Sequence, residues 1–152
     1  MRFKKISLII YLLLTPFLIS AGEYNSSVQT RVILKTAVTG NGAPITYLKT
    51  DQPEITAMTV DISPGAETGW HSHPVPVYAY VISGSLTVNI EGNISRQFNA
   101  GDVIIEVVNT RHNGVNNGKT PVNLIVFYTG AKDMPNVFKT SAPVSPLIEG
   151  KD

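Results

Sequence analysis

Three histidines in this sequence can bind a transition metal as neutral nitrogen donors, and they are not scattered. His71 and His73 close the segment PGAETGWHSH (64–73), and His112 lies in GDVIIEVVNTRHNGVNN (101–117); the chain has no other histidine. On a strand, residues two apart project from one face, so His71 and His73 aim their imidazoles the same way, and His112 follows a second strand-like run. Neutral imidazole is a ligand for Zn, Fe, Ni, Mn or Cu. Three imidazoles on adjacent strands cap one face of an ion and leave other positions for water, dioxygen or substrate, and such an open position makes a metal catalytic. The competing reading has the histidines as polar partners inside the fold, with no ion.

The elements that must position these residues read as short strands. Glu54 to Ile62, Val77 to Ser83, Ser85 to Ile90, Val103 to Val108 and Pro121 to Tyr128 are rich in Val, Ile and Tyr, and several alternate apolar with polar positions. Val28 to Val38 and Ile45 to Lys49 carry the same pattern nearer the start. Turn signals separate the runs: Ser63-Pro64-Gly65, Ser83-Gly84, Glu91-Gly92-Asn93, Ala100-Gly101-Asp102 and Asn117-Gly118. No helical period and no internal repeat is present. The pattern predicts an all-β fold, a sandwich or barrel. Residues 131–152 contain Pro135, Pro143 and Pro146 with little periodicity, which predicts a tail that runs extended over the surface or is partly disordered.

The spacing around the histidines resembles that of the cupin family. Gly65, His71, His73, Val77 and Gly84 match its first motif, and Gly101, Val107, Asn109, His112 and Asn116 its second, with residues 85–100 between them. In that family glutamate normally stands at the position of Val77, proline at Val107 and glycine at Asn109. Two gapped motifs in order form a specific signal. The resemblance implies a small antiparallel β-barrel, or jelly roll, over residues 45–130, preceded by an N-terminal strand segment (23–44) and followed by the C-terminal tail (131–152). It also implies one divalent transition metal (Fe, Mn, Ni, Zn or Cu) on His71, His73 and His112.

The departure at Val77 bears on function. Cupins of the oxalate oxidase and oxalate decarboxylase kind use the missing glutamate as an anionic ligand, so the resemblance argues against those two activities. A neutral three-histidine site remains open, as does a carboxylate supplied from elsewhere. Glu106, the one acid among Val103 to Val108, is the candidate extra ligand, the alternative being that it points outward or braces a ligand. Trp70, Tyr78, Tyr80 and Phe127 are candidates to wall a pocket or to form core and interface. Arg111 is a candidate for an anionic substrate or an ordinary loop cation, and Asn116 a brace for the loop carrying His112. No residue declares itself a general base. Two functions are compatible with these features: an oxygenase- or isomerase-type metalloenzyme acting on a small polar organic molecule, and a module that binds or senses a small ligand without turnover.

Arg2, Lys4 and Lys5 precede an apolar run from Ile6 to Ile19, followed by Ser20-Ala21-Gly22. These are the parts of a signal peptide over residues 1–22. The run holds 14 residues and is broken by Pro16, against about 20 needed to span a bilayer, so no stable membrane anchor is expected. Without the three positive charges of the leader the formal net charge changes from +1 to −2. No basic cluster then remains for nucleic acid. The chain has no cysteine, so its fold depends on its core and on any partner subunit. The expected product is a secreted or periplasmic protein. If Val77 faces inward, Tyr78 and Tyr80 face outward, which suggests a homodimer.

Overall fold

A computed structural model describes residues 27–144. Residues 27–31 belong to a separate unit and carry no strand or helix. The expected leader at 1–22 lies outside the described residues. The remainder folds as nine strands, with no helix among the described residues: β1 (Pro53–Ile62), β2 (His71–Ser72), β3 (Val77–Ser83), β4 (Ser85–Ile90), β5 (Ile94–Asn99), β6 (Val103–Ile105), β7 (His112–Val115), β8 (Val122–Ala131) and β9 (Phe138–Lys139). They form two antiparallel sheets, one in the order β1-β8-β3-β6 and the other β5-β4-β7-β2-β9. The all-β expectation is met.

Alternation decides which face of each strand goes inside. In β3, Val77, Ala79 and Val81 are buried while Tyr78, Tyr80 and Ile82 face outward. The same parity buries Leu86, Val88 and Ile90 in β4 and Val122, Leu124, Val126 and Tyr128 in β8. Ladder pairs place these residues side by side, Ala79 opposite Val126 and Ile104, and Val81 opposite Leu124. With Ile62, Val75 and Val107 they make one core between the sheets. The β3–β4 connection turns on Gly84, whose φ of +82° favours glycine and where a Cβ would lie 2.7 Å from the Pro121 carbonyl oxygen.

Three expectations need correction. The N-terminal strand segment (23–44) contains no strand among its described residues, and Ile45–Lys49 contains none either. An alternating apolar pattern supplies a face, but a strand forms only where its backbone joins a ladder. Here the chain bonds to itself instead, Thr39 N–H to Ala43 O and Ile45 N–H to Ala37 O, while Val32 stays 78% exposed. Conversely, β5 was not evident in the sequence, because Ser95, Arg96, Gln97 and Asn99 leave it almost without apolar signal; its ladder to β4 forms it. The tail from 131 does more than run over the surface, since Phe138–Lys139 joins the second sheet beside the histidines.

Candidate metal centre

The three histidines meet because β2 lies between β7 and β9. His71 is the direct cross-strand partner of His112, and His73, one residue beyond β2, bridges to Val108. Glu106 follows β6, its backbone N–H donating to Val77 O, which turns it into the same space. One ligand atom from each of His71, His73, Glu106 and His112 lies within 4.8 Å of every other, so the four form a group able to hold a metal ion. The Glu106 Oε2 atom is 2.8 Å from His73 Nε2 and 3.3 Å from His112 Nε2. The carboxylate that the sequence left open thus stands among the histidines.

Each imidazole is oriented by its other nitrogen. His71 Nδ1 lies 2.7 Å from Gly69 O, His73 Nδ1 2.8 Å from Asn136 O, and His112 Nδ1 2.9 Å from Thr110 O. A carbonyl oxygen only accepts, so each Nδ1 carries the proton and each Nε2 of a neutral ring presents a lone pair to the centre. Glu106 Oε2 and His112 Nε2 are buried without a hydrogen-bond partner of acceptable geometry. Buried polar atoms left unpaired are costly, and an ion at the point where they converge satisfies both. Metal–ligand bonds of about 2.1 Å place neighbouring donor atoms about 3 to 4 Å apart, close to the spacing found here. The residues therefore fit a mononuclear N₃O site, a donor set compatible with Fe, Mn, Ni, Zn or Cu.

The electrostatics follow from burial and from Glu106. Burial would push the Glu106 carboxyl up, but the facing rings of His112 and His73 outweigh it and hold the group well below the usual carboxylate range. Burial would pull His112 down; the carboxylate overrides it and leaves His112 above its ordinary value. His71 is only half-buried, yet burial still holds it below its ordinary value. The Tyr128 hydroxyl is pushed up to about 12, by burial and then by the Glu106 charge, and stays a neutral donor at any ordinary pH.

The centre opens into a cavity of about 200 Å³, lined by the four residues, the apolar side chains of Val60, Leu86, Val88, Leu124 and Val126, and Thr68, Tyr128, Val137 and Lys139. None of the four aromatic candidates lines this cavity, and Tyr78 and Tyr80 face outward as the inward Val77 implies. Tyr78, Tyr80 and Phe127 lie on the outward parity of their strands, and Trp70 borders a separate depression with residues 89–95 and 143–144. The aromatic at the centre is Tyr128, whose ring packs edge-on against His73 with centroids 5.4 Å apart. Arg111 pairs with Glu91 at 2.7 Å instead of reaching the cavity. Asn116 is fully buried and braces the loop after β7: its amide donates to Ile62 O and Thr120 O, and its oxygen accepts from Gly118 N–H. Asn109, where the family motif has glycine, adopts φ 52° and donates its N–H to His73 O. Asparagine is among the few residues that tolerate that conformation.

Comparison with known proteins agrees with this geometry. The family described as "Cupin domain" matches residues 58–128, the span that holds all four candidate ligands. Residues 58–128 thus carry a small cupin domain. Similar solved structures include an RmlC-like cupin from Shewanella frigidimarina, at 26% identity and TM-score 0.46, over 53% of this chain and 69% of that one. The DMSP lyase DddQ from Ruegeria pomeroyi aligns at 20% identity and TM-score 0.51, over 67% of this chain and 48% of that one. An oxalate decarboxylase from Lactobacillus farciminis aligns at 24% identity and TM-score 0.48, over 56% of this chain and 26% of that one. This chain thus spans about half of the lyase and a quarter of the decarboxylase. No curated protein matches the chain in sequence.

Proposed function

We propose that this protein is an exported, mononuclear metalloenzyme that uses His71, His73, His112 and Glu106 as ligands and acts on a small polar organic molecule, by oxygenase or isomerase chemistry. The observation that carries the reading is the convergence of Nε2 lone pairs and one unpaired carboxylate oxygen at the floor of a cavity. A metal bound there supplies Lewis acidity and an open coordination position. The chain's own residues do the rest. The Gly69, Asn136 and Thr110 carbonyls fix the ring orientations, and Glu106 contributes the single negative charge. The apolar walls limit water, and the neutral Tyr128 hydroxyl is available to hydrogen-bond a polar group of the substrate. An enzyme is favoured over a ligand-sensing module because the half-buried His71 leaves the cavity side of the centre accessible. The test is metal loading of the mature protein followed by nitric oxide titration of an Fe(II)-substituted sample. Spectroscopic binding of nitric oxide at the metal supports an exchangeable position, and a saturated centre that does not respond favours the sensing module.

Two further parts of the reading concern the whole molecule. The sequence of residues 1–22 supports the proposal of export, and the outward apolar residues of the β1-β8-β3-β6 sheet support that of self-association.

A further inference from the structure

Resting on the metal-centre reading, the geometry points to a small organic anion, a carboxylate with a short apolar body, as the molecule the cavity receives, with Lys139 as the residue that selects it. His112, His71 and Lys139 occupy one row across three neighbouring strands, His71 being the direct partner of both. Directly opposed residues in antiparallel strands share a face with Cβ atoms about 5 Å apart, so the lysine chain rises beside the imidazoles. Lys139 lines the same cavity as the four candidate ligands. No carboxylate lies within ion-pair distance of it among the described residues; the ion pairs there involve only His73, His112, Arg111, Glu106 and Glu91.

Charge then decides what fits. Three neutral imidazoles, one Glu106 carboxylate, a divalent ion and the Lys139 ammonium sum to two positive charges around a cavity with mostly apolar walls. A second cation beside a metal is unfavourable unless an anion sits between them. A carboxylate placed there meets the ammonium and the open face of the centre at once, while its hydrocarbon part packs on Val60, Leu124 and Val126. The cavity volume of about 200 Å³ suits a molecule of a few carbon atoms. Because Lys139 belongs to the tail, the same segment that orients His73 through the Asn136 carbonyl also carries the selecting charge.

The experiment uses the mature, metal-loaded protein with butyrate as the anionic probe and butyramide as its uncharged counterpart, both followed by calorimetry. Metal content is measured first on wild type, Lys139→Met and Lys139→Arg. The expected result is equal metal content in all three, with wild type and Lys139→Arg preferring butyrate by at least about tenfold and Lys139→Met losing that preference. Metal-loaded wild type with no preference for butyrate overturns the inference alone, as does Lys139→Met that keeps it. Lys139→Met that loses its metal also overturns it, since the lysine then acts on the centre and not on the anion. Wild type that takes up no metal overturns the metalloenzyme reading, and the inference with it.

Discussion

At the scale of single residues, the centre depends on a division of labour within each histidine. One nitrogen faces a backbone carbonyl and the other faces the centre, so at the proposed metal site His71→Ala, His73→Ala or His112→Ala each removes one candidate ligand. Each variant should retain less than about a tenth of the wild-type metal affinity, while circular dichroism and melting show a folded protein, because the apolar core is untouched. Glu106→Gln keeps shape and removes charge; it should weaken metal by about ten- to a hundredfold, measured by chelator competition. Wild-type affinity in that variant would return Glu106 to a bracing role. Protons compete with metal for the imidazoles, so affinity should fall on acidification through about 6.5. His112, held above its ordinary value by Glu106, takes its proton before His71, which is held below, as the pH drops. Binding isotherms at pH 8 and pH 5.5 should differ by at least about tenfold, stronger at pH 8.

At the scale of elements, the turn and the tail are the parts most open to test. Gly84→Ala forces a Cβ against the Pro121 carbonyl in a left-handed turn and should cost at least about 2 kcal/mol in a denaturation midpoint analysis. Truncation before Asn136 removes the His73 Nδ1 acceptor and Lys139 together. It should weaken metal binding by about tenfold while leaving the first sheet and strands β4, β5 and β7 of the second in place. The legibility of the sequence follows the same division. The strands with strict alternation, Val77–Ser83 and Ser85–Ile90, could be read directly because burial on one face dictates their pattern. The histidine cluster was legible from spacing alone. The role of Glu106 was legible only as a possibility, since a strand that ends at Ile105 no longer fixes which way the next side chain points. Lys139 and Asn136 gave no signal, because Lys139 lies in a two-residue strand, Asn136 just before it, and their partners His71 and His73 lie far away in sequence. Arg111 attracted attention by sitting next to His112, yet it lies just before β7 and pairs with Glu91.

At the scale of the whole molecule, the outward faces of the two sheets differ in kind. The second sheet shows Ser85, Thr87, Asn89, Ser95, Gln97 and Asn99 on the outward parity of β4 and β5. The first shows Ile55, Ala57, Ile125, Phe127, Tyr78 and Tyr80, with Ala57, Phe127, Tyr78 and Ile105 in one continuous row. This apolar face is the surface on which the proposed self-association rests. We expect light scattering at tens of micromolar to give a dimer mass, and Tyr80→Glu to shift it to monomer without loss of metal; a monomeric wild type would remove the self-association proposal. N-terminal sequencing of the exported protein should begin near Glu23, and an intact Met1 in a membrane fraction would contradict export.

Elemental analysis of the wild-type protein and its His112→Ala variant, produced without a histidine tag and never exposed to chelator, bears on the centre most directly. The arrangement of His71, His73, Glu106 and His112 predicts about one equivalent of a divalent transition metal per wild-type chain and less than about a tenth of an equivalent in the variant. A folded wild-type protein that holds no metal at neutral pH, or a variant that keeps full occupancy, would contradict it.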